Sequence, residues 1–178
     1  MHRLRSVLLP IALAASVAWS AGSVAPEPLD AQVWTAEGQK VHLRSFWGRP
    51  TVLIYEARNA LEVNRTLKDA LWHRGHGPGA KTDAQVLGIA ALHEYDWFPA
   101  RSVAEHMVRE RQARVGIPVL IDWKGELSTG AWALPAQGSS VVVLGDKGTV
   151  EFRATGALTQ QQIDEVFALL ERLTSHPG

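Results

Sequence analysis

The chain has 178 residues, 46% hydrophobic and 20% charged, with 18 basic and 18 acidic side chains and no cysteine. Such a composition belongs to a soluble globular core about one domain in size and excludes disordered or collagen-like chains, while a net charge of zero lacks the cationic excess that nucleic acid demands. The missing sulfur excludes thiol peroxidase, disulfide-exchange, thiolate-zinc and c-type haem chemistry, and a lipoprotein anchor as well.

The chain opens on Met1-His2-Arg3-Leu4-Arg5, an apolar stretch from Val7 to Val17 broken by Pro10, and small residues around Ala18-Trp19-Ser20-Ala21. Charge, a short apolar run and a small-residue exit are the three parts of a secretory signal peptide, and the run falls short of the ~20 residues of a membrane span. The sequence therefore predicts a cleaved leader over 1–20, an exported protein, and no stable membrane anchor after cleavage, with an uncleaved N-terminal anchor as the alternative because the small residues permit several cut sites. Loss of Arg3 and Arg5 would leave 16 basic against 18 acidic residues, a net charge of −2. Residues 21–31, with Pro26 and Pro28, read as a linker, and a single folded domain is expected over 32–175. Export leads to a compartment where disulfides are allowed, yet none can form, so the core alone must hold the fold.

Gln39 to Arg44 alternates polar and apolar, and Trp47-Gly48-Arg49-Pro50 turns into Thr51-Val52-Leu53-Ile54-Tyr55, a run expected as a strand buried on both faces. Asn59 and Glu62 have the spacing of an N-cap and its reciprocal partner, which predicts a helix from Ala60 to Trp72. Gly75 to Asp83 reads as a loop and Gln85 to Leu92 as a second buried strand. Pro99 is expected to open a charged helix to about Arg114, with Val103 and Met107 on its inner face. A short strand over Ile117–Ile121 and a short helix over Glu126–Trp132 follow. Ser140–Leu144 and Thr149–Arg153 flank Gly145-Asp146-Lys147-Gly148 as a hairpin. Thr159 with Gln162 caps a last helix with an apolar stripe of Ile163, Val166, Phe167, Leu170 and Leu173. This order argues an α/β fold with one mixed sheet and helices on both faces.

The pattern from Gln39 to Leu173 resembles the redoxin branch of the thioredoxin superfold, a three-layer sandwich. The resemblance places the two redox cysteines near Ala60 and Val63, and the cis-proline that precedes the hairpin at Ser139; all three are replaced. A narrower likeness rests on Ala131-Trp132-Ala133-Leu134, Ser139-Ser140-Val141-Val142-Val143-Leu144, Asp146-Lys147-Gly148, Gly156-Ala157-Leu158-Thr159 and Asn64-Arg65-Thr66-Leu67. On those residues the chain is similar to the YtfJ family of small exported bacterial proteins, which looks like a cysteine-free redoxin. That likeness implies fold and compartment, not a reaction.

In such folds ligands meet the protein at the carboxyl ends of the strands and at helix N-termini. That corner would hold Glu56, Arg58, Asn59 and Glu62, facing Ser139 and Ser140. Two readings stand: Arg58 and Asn59 dock a carboxylate or an extended peptide, or Asn59 and Glu62 cap the helix while Arg58 and Glu56 form a surface pair contributing at most ~1 kcal/mol. His73 and His76 have no third ligand close in sequence, which points to a solvated loop and no metal. His93-Glu94-Tyr95-Asp96 follows a strand, where loop residues often act. No activated nucleophile is evident, since Ser139 and Ser140 lack a strained elbow. Trp97-Phe98-Pro99 and Trp123 at loop edges would mark an interface if exposed. The expectation is a non-catalytic binding protein of the periplasm or envelope, with a protein or peptide partner there and no cofactor. A redoxin-family oxidoreductase and a structural accessory protein without a specific ligand are the alternatives.

Overall fold

A computed structural model of the chain describes residues 28–76, 84–129 and 132–175, with His76 as backbone only. The predicted leader, residues 21–27 of the predicted linker, residues 77–83 of the predicted loop, Gly130, and Ala131 of the YtfJ-like motif lie outside the described residues. The strands are β1 (Gln32–Trp34), β2 (Lys40–His42), β3 (Thr51–Ala57), β4 (Gln85–Ala91), β5 (Val119–Asp122), β6 (Ser139–Leu144) and β7 (Val150–Thr155). The helices are α1 (Arg65–His76), α2 (Ala100–Val115) and α3 (Gln160–Ser175).

Every residue of β3 is buried, as its continuous β-branched and aromatic run predicts. It pairs parallel with β4, from Thr51↔Gln85 to Ala57↔Ala91, and antiparallel with β6, from Thr51↔Leu144 to Glu56↔Ser139. The mixed sheet has the order β2-β1-β5-β4-β3-β6-β7.

Register assigns the faces, because paired residues share a side. Val52, Ile54, Val141 and Val143 pack with Leu67 and Leu71 of α1 and Ile163, Val166 and Leu170 of α3. Through the β3–β4 and β4–β5 registers, Val119 and Ile121 belong to that same side, where they meet Ala104 and Val108 of α2. Both parallel crossovers step in one direction along the sheet, and right-handed connections of that kind put α1 and α2 on one face. The opposite face carries Leu53, Tyr55, Ile89, Leu120 and Val142, covered by Leu29, Ala31, Leu43, Leu127 and Leu134. The helical cover there, among the described residues, is the 3-10 turn Leu43–Phe46. Burying each such large side chain contributes roughly 1.5–3 kcal/mol.

The structure corrects four local expectations. Helix α1 begins at Arg65, preceded by a 3-10 turn over Arg58–Ala60, so Asn59 is not its N-cap. Val103 and Met107 of α2 are exposed, and Ala104 and Val108 form the inner face. Both pairs are spaced i,i+4, so periodicity left the helix phase open. A turn over Glu126–Ser128 replaces the expected start of a short helix, because Asp122 accepts the Glu126 and Leu127 amides at 3.0 and 3.1 Å. Among the described residues packing is already in place at Leu29, fully buried and donating its amide to Gly148 O at 2.8 Å, ahead of the expected start at Gln32.

Candidate functional site

At the carboxyl end of β3, Glu56 projects onto the helix-covered face and is only 7% exposed. A carboxylate there is costly unless paired. Lys68, on the first turn of α1, supplies the partner: its Nζ donates to Glu56 Oε1 and Oε2 at 2.8 and 3.1 Å and to Leu61 O. Ser139 Oγ donates to Glu56 Oε1 at 3.3 Å and accepts from Asn64 Nδ2 at 2.9 Å. Asn64 also donates to Gly156 O at 3.0 Å and accepts the Leu158 amide at 2.9 Å. These four side chains close a network that locks β3, α1, β6 and the loop into α3. Burial pushes the Glu56 carboxyl up from its ordinary value, against the opposing pull of Lys68, Arg111 and Ser139.

The loop entering β6 is closed as well. Gly138 O accepts the Ala57 amide at 2.9 Å, and Ser139 O accepts the Gly156 amide at 2.8 Å. Gly138 has a φ of 106°, a left-handed conformation that L side chains rarely adopt. A glycine in that conformation thus leads into β6; the one cis peptide among the described residues is Phe98–Pro99, ahead of α2.

The predicted residues divide between two environments. Glu56 and Ser139 enter the buried network, so the expected surface pair of Glu56 with Arg58 does not form. Ser140 bonds Thr155 Oγ1 at 3.3 Å on the other face. Ala60 is buried and Val63 is 41% exposed. Glu62 pairs on the surface with Arg65 at 3.4 Å. Arg58, Asn59 and His93 come together with Tyr95, Glu94 and Gln137 around a cleft of about 310 Å³ at the strand ends. In it Gln137 Nε2 donates to Glu94 Oε1 at 3.1 Å, and the buried His93 Nδ1 has no hydrogen-bond partner. Trp97 lies outside the cleft, 59% exposed beside Phe98 at 87%, whereas Trp123 is buried under the Arg101 guanidinium. His73 is exposed, and no cluster of three metal-ligating side chains occurs among the described residues.

Sequence reasoning missed Asn64 and Lys68 as functional positions. The readable signal was Lys68 itself: a cation in the first turn of a helix opposes the dipole and therefore calls for a carboxylate nearby. Chemically the network is structural. The Ser139 hydroxyl is buried, donates to the Glu56 carboxylate and accepts from Asn64, so its bonding is spent inside the network.

Residues 100–173 match a family described as "Bacterial protein of unknown function (YtfJ_HI0045)". A stretch of 54 residues is 39% identical to "Uncharacterized protein YtfJ" of Escherichia coli (strain K12), covering 30% of this chain and 29% of that protein. The chain thus spans less than a third of the length of the curated relative it matches. Among solved structures it is similar to a thiol peroxidase from Chromobacterium violaceum (13% identity, 84% of this chain and 87% of that one, TM-score 0.57). It is similar to a peroxiredoxin-like protein from Aquifex aeolicus (13%, 82% and 84%, 0.56) and to StoA from Bacillus subtilis (18%, 78% and 96%, 0.52). The fold is thioredoxin-like, of the redoxin kind, and the YtfJ resemblance holds over the second half of the chain.

Proposed function

We propose that this cysteine-free thioredoxin-fold protein acts in the periplasm or envelope by binding, without catalysis, and that its ligand is the carboxylate end of an extended peptide or protein segment. The observation that carries this reading is a substitution of roles at one corner. Beside the positions Ala60 and Val63, where the redoxin resemblance puts thiols, this chain has the closed Lys68–Glu56–Ser139–Asn64 network, while the neighbouring cleft is lined by Arg58, Asn59 and His93. Arg58 has no ion-pair partner among the described residues, and a guanidinium suits a carboxylate through two parallel hydrogen bonds. The leader over 1–20 supports the compartment. Thiol oxidoreductase chemistry is disfavoured because no residue can form a thiolate or a mixed disulfide.

The test is photo-crosslinking in intact cells from a probe at Asn59, which is exposed at the cleft, with a control probe at Glu165 on the outer face of α3. A discrete adduct at Asn59 alone, competed by a short peptide with a free carboxylate and not by its amide, is the expected outcome. Identical smears at both positions, equal competition by the amide, or peroxide reduction by the purified protein above background would overturn the reading.

A further inference from the structure

A second cavity, of about 1190 Å³, lies on the helix-covered face between α1 and α2. Its origin is the side-chain pattern of β4. On the face away from the helices that strand places Leu87, Ile89 and Ala91, but toward them it places Val86, Gly88 and Ala90. Neighbouring strands fill the same layer with Ile54 and Val119, so β4 leaves a trough along the middle of the sheet. Trp72 of α1 reaches α2 near one end: a Cβ placed on Gly116 would stand 2.5 Å from its ring. Near the other end, Arg111 Nη2 of α2 donates to Leu61 O at 3.5 Å. The walls keep apolar side chains partly in solvent, with Trp72 38%, Met107 47% and Val103 58% exposed.

The rim is cationic. Six arginines and Lys68 line this cavity against Glu56, Asp69 and Glu110. Several are already committed: Lys68 to Glu56, Arg65 to Asp69 and Glu62, and Arg74 to Glu171. Arg114 has no partner among the described residues and Arg49 bonds only the Gln85 amide side chain, whereas Arg111 bonds the Leu61 carbonyl and its charge acts on Glu56. Uncompensated guanidinium groups around an apolar trough favour a ligand that is greasy along its length and negative at one end.

From this geometry we infer that the α1–α2 trough binds an amphiphile with a single acyl chain and an anionic head, the chain lying over Gly88 and Ala90 and the head at the end that carries Arg49 and Arg114. Two features select an acyl chain over a peptide. The floor belongs to a strand hydrogen-bonded on both sides, so it offers no free backbone group to pair with an extended peptide, whose own polar groups would go unsatisfied. A docked helix needs about 10–12 Å of width with its side chains, whereas this floor is a single strand of backbone and Cβ atoms flanked by two helices.

The experiment titrates the full chain with cis-parinaric acid, a fluorescent fatty acid, below its self-association concentration. Palmitate, 1-palmitoyl-lysophosphatidylglycerol and hexadecanol then serve as competitors. Saturable binding of one probe per chain is expected, with hexadecanol about tenfold weaker than the better anionic competitor. Stronger competition by palmitate identifies a free carboxylate head, and stronger competition by the lysolipid a phosphodiester head. Gly88→Val, which fills the floor, should weaken binding at least about tenfold. Met107→Glu changes an already exposed wall residue and should do the same with an unaltered circular dichroism spectrum, so the result does not depend on whether Gly88→Val folds well. Absence of saturable binding, wild-type affinity in Met107→Glu, or displacement by an acidic amphipathic peptide where palmitate fails would overturn the assignment.

Discussion

Glu56 combines a buried carboxylate, a lysine partner and a raised pKa, and the sign of its contribution to stability follows from the direction of that shift. The folded state holds the Glu56 proton more tightly than the unfolded chain does, because burial penalises the ionised form more than Lys68 and Arg111 reward it. The contribution is therefore fully present below the unfolded value and is lost as pH rises through the folded one. Glu56→Gln removes the titration and retains the shape. Plotted as wild type minus variant, the urea midpoint should fall as pH is raised from about 4 towards 7 and then level off. A difference that stays flat across that range would show that Lys68 compensates the carboxylate completely. Serine 139 owes its burial to the same network. The sequence places it correctly at the head of the hairpin, but only its partners Asn64 and Glu56, 75 and 83 residues away, decide that its hydroxyl faces inward.

Two helix starts show what local pattern can and cannot specify. Thr159 accepts the Gln162 amide at 3.3 Å, while Gln162 Oε1 accepts the Thr159 amide at 2.9 Å. This is the reciprocal cap that the spacing predicts, because every group involved lies within three residues. Asn59 and Glu62 have the same spacing and no such bonds. The chain from Arg58 to Asn64 instead follows a 3-10 turn and further turns, because the Asn64 side chain is held by Gly156 and Leu158, more than 90 residues on. Tertiary bonds thus move the start of α1 five residues past the local cap signal. Thr159→Ala should cost about 1 kcal/mol, while Asn59→Ala should leave stability within about 0.5 kcal/mol of wild type. Chemical denaturation of both variants checks the pair; a loss at Asn59 equal to that at Thr159 would mean that it caps α1 after all. Phase is lost in the same way in α2, where Ala104 rather than Val103 faces β5 because the small side chain lets the helix approach Val119 and Ile121.

Across the whole molecule, the strands from β3 to β7 were readable along the chain because their apolar runs are bounded by turn residues, and the hairpin turn around Gly145–Gly148 sits where its composition puts it, whereas the short β1 was not foreseen. The cover of the second face was not readable, since it consists of irregular segments whose apolar residues have no period. Leu29 is the clearest case: it looks like the end of a Pro-containing linker, yet it is fully buried against the sheet and its amide bonds Gly148 O. With no disulfide to tie down the N-terminus, that segment must be held by packing and hydrogen bonds alone. A chain that starts at Pro28 keeps Leu29 and Ala31; one that starts at Gln32 loses both and opens a gap in the cluster that contains Tyr55 and Leu144. Removing a buried leucine and leaving its cavity costs roughly 2–5 kcal/mol, which for a domain of this size lowers Tm by about 2–4 °C per kcal/mol. Differential scanning calorimetry of the two trimmed chains should therefore place the shorter one at least about 5 °C lower. Equal transitions would mean that the segment before β1 is a passive tether and that the second face is closed by Leu43, Leu127 and Leu134 alone.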